Sequence, residues 1–192
     1  MYSDIRDNNR ILFVGVLNQF GVPLGMQEKI LNLVDGTDFF IAPASTKYHG
    51  AYPGGLFDHS MMVTDHLIRW TQLGLCSWER AESPIIVGML HDFTKVNKYG
   101  VKPDENGQYD EENPVYSYNK DAVSFGGHGS DSLIKIALKL PLTEEEAMCI
   151  RFHMGAYEGK EAWKDYDKAI RQHPNVLWTH HADMVASKIC GV

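Results

Sequence analysis

Cysteine is scarce in this chain: Cys76, Cys149 and Cys190 form no C-x-x-C pair, and any pairing among the three leaves one thiol over. That excludes a disulfide framework and an all-thiolate metal site, and it points to a reducing compartment, the cytoplasm. Long apolar runs are missing as well. The longest, "ILFVGVL", is far shorter than the roughly 20 residues needed to cross a bilayer, so no membrane association is expected. The opening "MYSDIRDNNR" lacks the basic stretch and apolar core of a secretory signal. Positive charge is in deficit, with 18 Lys and Arg against 25 Asp and Glu and a net charge of −7. A broad basic face for duplex DNA is therefore excluded, because phosphate neutralisation needs clustered Lys and Arg. There is no internal repeat and no low-complexity tract.

What is present suits one compact domain spanning residues 1–192. Hydrophobic residues make up 44% of the chain and charged residues 22%, close to the globular average. A chain of this length can bury roughly 70% of its unfolded surface without staples. The pattern is mostly helical. Apolar residues recur at helical spacing over 5–19 and 26–34, separated by Gly21, Pro23 and Gly25, and predict an N-terminal helical cap over 1–39. The breakers of "FIAPASTKYHGAYPGG" predict a loop over 40–55. Leu56, His59, Val63, Leu67 and Trp70 then share one helix face, and Ser83-Pro84 opens another helix as N-cap and N1.

The regime changes over 97–127. Asn106-Gly107 signals a turn and "VYSY" alternates like a strand, so a hairpin or lid is expected there, inserted into a core over 40–190. Helices resume at "SDSLIKIALKL". Thr143 and Glu146 form a capping box for the helix that carries His153, and Pro174 introduces "NVLWTHHADMVASKI", which sets His180 and Asp183 three apart on one face. The fold class read from these patterns is an all-α bundle with a short β-hairpin or lid insertion.

Every helix expected after the loop carries one or two good metal ligands: His59, the His91-Asp92 pair, His128, His153 and Asp183. One ligand per helix, turned into a shared cavity, is how helical bundles build metal centres. Imidazole and carboxylate donors suit Fe, Mn, Ni, Co, Zn or Mg. A carboxylate beside a histidine can bridge two ions while the imidazole binds one of them. Ions roughly 3.5–4 Å apart can then share a hydroxide and clamp both oxygens of a phosphoryl displacement.

The ordered motifs "GGLFDHSMMV", "GMLHDFTK", "GHGSDS", "FHMG" and "HHADMVAS" resemble the HD-domain metal-dependent phosphohydrolase superfamily. Their order, H…HD…H…H…D, is similar to its two-metal branch, which includes HD-domain 3′-5′ exoribonucleases, cyclic-di-GMP phosphodiesterases and small HD proteins of phage and gut bacteria. The resemblance spans roughly residues 40–190. It implies that His59, His91, Asp92 and Asp183 hold one divalent ion, that Asp92 bridges, and that His128 and His153 complete a second. It also implies that Asp92 and Lys95 serve catalysis, Lys95 contacting phosphate or the bridging hydroxide. Thr94 stands where the common HDxGK pattern has glycine, and the GYP motif of the cyclic-dinucleotide enzymes is absent.

The function expected on this basis is hydrolysis of a phosphate ester of a nucleotide or short oligonucleotide through a metal-bridging hydroxide. The alternatives are a 3′-5′ exonuclease or cyclic-nucleotide phosphodiesterase, and a non-catalytic HD module that senses a nucleotide. The acidic surface favours small substrates. Lys47 and His49 in the loop before the first ligand are candidates for phosphate contact, with a solvated lysine and a packing histidine as the equal alternative. Tyr99 belongs to a set of hairpin tyrosines that either stack on a base or pair across strands. His180 is expected to orient Asp183 or another ligand. Ser130 and Asp131 either touch the site or cap the helix after His128. The oligomeric state is left open.

Overall fold

A computed structural model describes residues 2–110 and 113–192. Residue 1, and residues 111 and 112 of the expected insertion, lie outside the described part. The protein is mostly helical, with one two-stranded antiparallel sheet. The N-terminal helices are α1 (Tyr2–Gln19) and α2 (Leu24–Val34), and a segment without helix or strand leads to α3 (Gly55–Gln72) and α4 (Ser83–Leu90). A 3-10 turn, Phe93–Lys95, precedes the hairpin of β1 (Tyr99–Lys102) and β2 (Val115–Tyr118). Then come α5 (His128–Ala137), α6 (Glu144–Phe152), α7 (Trp163–Gln172) and α8 (Asn175–Val185), which continues as a π-helical turn over Ala186–Cys190. Among the described residues no helix is long and apolar enough to cross a membrane, and all three cysteines are free thiols.

Two apolar clusters flank the middle of α3. Phe13, Phe39, Phe40, Phe57 and Phe93 form the aromatic heart of the first, with Phe39 and Phe57 edge to face at 6.1 Å between ring centres. Val63, Leu67, Val87, Cys149, Phe152, Val176 and Ala182 form the second. His59 lies three residues after Leu56 of the first cluster and four before Val63 of the second, so helical spacing turns it inward between them. α3 and α4 approach closely because Gly88 has no side chain: a Cβ there would lie 2.6 Å from the Thr64 Cα.

A polar clamp ties the starts of three helices together. The capping box at α6 is formed, and Glu146, fully buried, also accepts hydrogen bonds from Arg80 at 2.8 and 2.7 Å and from the Ser83 hydroxyl at 2.8 Å. Its neighbour Glu145 accepts from the Asn175 side chain at 2.9 Å. Ser83, Glu145 and Asn175 thus pin α4, α6 and α8 at one end. Eight residues further along each helix stand His91, His153 and Asp183. At 1.5 Å per residue, three arms of about 12 Å reach the same level.

Glu146→Ala would strand the Arg80 charge and the Ser83 hydroxyl. Breaking a buried pair from one side costs about 3 kcal/mol or more, so urea unfolding is expected to show a loss of that size.

Candidate metal centre

His91 and His153 occupy the C-caps of α4 and α6, where the helices have run out of internal partners. Each ring donates its Nδ1–H to a carbonyl three residues back, His91 to Gly88 at 2.9 Å and His153 to Ile150 at 2.7 Å. His59 Nδ1–H donates to the main-chain oxygen of Val192 at 2.9 Å. A carbonyl can only accept, so all three rings carry their proton on Nδ1 and present a bare Nε2 lone pair.

Those lone pairs face one another. His59 Nε2 and His91 Nε2 are 3.2 Å apart, and both rings are fully buried. Burial holds the His91 imidazole down at about 3 against the pull of the Asp92 charge, with His153 and His59 adding to the lowering. His153 Nε2 is buried without a hydrogen-bond partner of good geometry, 3.4 Å from Asp92 Oδ1. Nitrogen donors that converge in this way could hold a cation.

Asp92 stands at the centre, 3% exposed. Its Oδ1 accepts from His128 Nε2 at 2.6 Å and faces His153, while Oδ2 lies 3.5 Å from His59 Nε2, 3.7 Å from His91 Nε2 and 2.6 Å from Lys95 Nζ. Burial opposes ionisation of this carboxyl, but Lys95, His91 and His128 together hold it well below its usual range. Asp183 Oδ1 sits 3.3 Å from His59 Nε2, and that imidazole keeps the Asp183 carboxyl low against the effect of burial. The ligand atoms sort into two groups that could each hold a metal ion, His59 with His91 and Asp183, and Asp92 with His128 and His153. One oxygen of Asp92 belongs to each side.

Comparison of the chain with protein-family models, curated proteins and solved structures finds no match. The convergence of six side chains from five helices and one 3-10 turn therefore stands on geometry alone.

A cavity of about 150 Å³ opens onto the site, lined by the polar His49, Asp92, Lys95, His128 and Asp183 together with Met154, Tyr157, Met184, Ser187 and Lys188. His49 packs 5.2 Å from the His59 ring, and burial together with Lys95 and His59 lowers it to about 4, leaving it neutral. Larger recesses of about 670 Å³ along the hairpin loop and about 470 Å³ between α2 and α5 contain none of the six side chains. Lys47 is exposed, lies over the Tyr48 ring and does not line the cavity. Tyr99 pairs with Tyr118 across the hairpin at 5.3 Å and does not line it either. His180 Nδ1–H reaches the His153 carbonyl at 2.8 Å, bracing that ligand's backbone rather than Asp183.

Two contributors take roles that sequence reasoning left unassigned. Asp131 lies within the first turn of α5, where it accepts from the Thr94 hydroxyl at 2.5 Å, the Phe125 amide at 2.6 Å and Lys135 at 2.8 Å. The Thr94 amide donates to Ser132 at 2.9 Å. Thr94 thus joins the Lys95 turn to the His128 helix. The other is Val192, whose main-chain oxygen no side-chain pattern could announce.

In ion-free protein, His49, His66, His91 and His181 all sit below the ordinary 6.5, chiefly through burial. Their contribution to stability is complete above 6.5 and is lost as pH falls toward 4 and 3, because the unfolded chain then binds more protons. His153 opposes this: burial lowers it, but Asp92, Asp183 and the Ile150 carbonyl together raise it more, so its contribution is present below 6.5 and lost as pH rises through the raised value. With four groups against one, chelator-treated protein is expected to melt at lower temperature at pH 5 than at pH 7 in circular dichroism. The gain in melting temperature on adding Mn²⁺ at pH 7 should shrink at pH 5, since protons compete for the same imidazoles.

Proposed function

We propose that the protein is a metal-dependent phosphohydrolase of the HD type, holding two divalent ions and cleaving a phosphate ester of a nucleotide or short oligonucleotide in the cytoplasm. The observation that carries this reading is the Asp92 carboxylate, divided between two groups of imidazoles with the Lys95 ammonium 2.6 Å from one oxygen. His59, His91 and Asp183 would hold one ion, His128 and His153 the other, and Asp92 both. Bound there, divalent ions would supply Lewis acidity and a water nucleophile activated at neutral pH.

The chain's own groups account for the remainder. Lys95 is 7% exposed, carries its charge on the cavity wall and balances Asp92. A phosphate entering the cavity meets that ammonium, which offsets charge on a non-bridging oxygen as it develops. His49, held neutral, is a poor proton donor at pH 7 and instead offers its ring nitrogens as hydrogen-bond partners to phosphate or water, so protonation of the leaving oxygen falls to solvent. A volume of about 150 Å³ is below the roughly 300 Å³ of a site that encloses a whole small ligand. The phosphoryl end enters, and the rest of the substrate lies at the rim against Met154, Tyr157 and Met184. The short pocket and the acidic composition both favour small substrates over long strands.

Elemental analysis of purified protein is expected to find close to two divalent ions per chain. A panel of nucleotides, cyclic dinucleotides and short single strands with added Mn²⁺ or Ni²⁺ should release phosphate or a shortened product. Tight nucleotide binding with no product from any member would overturn the enzyme reading. Lys95→Ala should lower kcat about 100-fold or more with ion content unchanged, whereas Asp92→Ala should lose both ions and turnover while its circular dichroism stays helical.

A further inference from the structure

Two of the three buried ligand histidines are oriented by their own helices, through carbonyls three residues back. His59 differs: its Nδ1 partner is 133 residues away. We propose that the turn formed by residues 186–192 is the positioning device for His59, and that docking of this turn sets the affinity of the His59, His91 and Asp183 group for its ion. The inference rests on the reading of that group as a metal site.

The local geometry is built for the task. After α8 the chain widens into a π-helical turn, Ala186–Cys190, which inserts one residue per turn and so re-aims Gly191 and Val192. Gly191 then takes a left-handed conformation, φ 78 and ψ 16, and its amide closes on the Ala186 carbonyl. The Val192 amide returns to the same carbonyl at 3.2 Å. These bonds reverse the chain and bring the Val192 oxygen against His59. The Val192 side chain packs on the cluster of Val63, Leu67 and Val176, so both halves of the residue are held. The segment that begins with the ligand Asp183 thus ends by orienting the ligand His59.

Without that acceptor, His59 has no reason to keep its proton on Nδ1. The other tautomer places a hydrogen on Nε2, aimed at His91, Asp92 and Asp183, where it satisfies the carboxylates and competes with an ion. Orienting partners of metal-bound histidines typically govern 10- to 100-fold in affinity. Because coupling is reciprocal, an ion bound by His59 also holds the turn in place.

Gly191 allows a clean test, because a Cβ there would meet nothing within 4 Å and the only penalty is the positive φ. Gly191→Val disfavours the left-handed turn, whereas Gly191→Asn tolerates it. Ion-free wild type and both variants would be titrated calorimetrically with Mn²⁺, and their His59 ring nitrogens followed by ¹⁵N-detected two-bond NMR. Wild type and Gly191→Asn are expected to show the Nδ1–H tautomer and equal affinities. Gly191→Val, and a chain ending at Cys190, should show mixed tautomers and one of two ions bound about 10- to 100-fold more weakly. Unchanged affinity for both ions in Gly191→Val would overturn the proposal, as would an unchanged tautomer. Should wild type bind no divalent ion, the metal reading fails on its own, and the tautomer comparison still decides whether Val192 orients His59.

Discussion

A carboxylate taken out of water must find compensating charge or it will not stay ionised, and Asp92 is that carboxylate here. One lysine and one hydrogen-bonded histidine meet it directly, yet three further imidazoles crowd the same spot with lone pairs rather than protons pointing inward. Rings that face each other at 3.2 Å with lone pairs inward gain nothing from proximity unless positive charge lies between them. The arrangement is costly as an ion-free core and sensible as a receptacle for cations. Everything else in the helical assembly can be understood as holding those donors together against their mutual repulsion.

The holding is done far from the site. Glu145 and Glu146 gather the first turns of α4, α6 and α8, and equal arms of eight residues carry His91, His153 and Asp183 to a common level. α3 is located separately, by the two apolar clusters on either side of His59 and by the absence of a side chain at Gly88. α5 is tied to the Lys95 turn through Asp131 and Thr94. Threonine at 94 has a hydroxyl that this tie uses, a role glycine could not fill.

Much of this was legible in the sequence, and the parts that were not have physical reasons. The helical spacing around His59, the Thr143 and Glu146 box, the loop over 40–55 and a hairpin within 97–127 are local features written in adjacent residues, and the structure has each of them. The ligands themselves could be nominated because polar residues on apolar faces are conspicuous. The clamp was invisible, since Ser83 and Glu146 read as caps of their own helices, and Arg80, Glu145 and Asn175 as ordinary surface residues, until helix starts are brought side by side. Lys47 and Tyr99 were nominated by type and position in the chain, but the Lys47 ammonium lies over the Tyr48 ring and Tyr99 pairs across the hairpin with Tyr118, neither of them on the cavity wall. Val192 contributes a backbone oxygen, which every residue has, so only the path of the chain distinguishes it.

The central claim is that Asp92 lies between two cations. Diffraction from crystals grown with Mn²⁺ and recorded at the manganese absorption edge tests it most directly. Two anomalous peaks on opposite sides of the Asp92 carboxylate, one near His59, His91 and Asp183 and one near His128 and His153, are the expected result. Well-ordered crystals of the Mn²⁺-soaked protein with no peak within coordination distance of Asp92 would contradict the account.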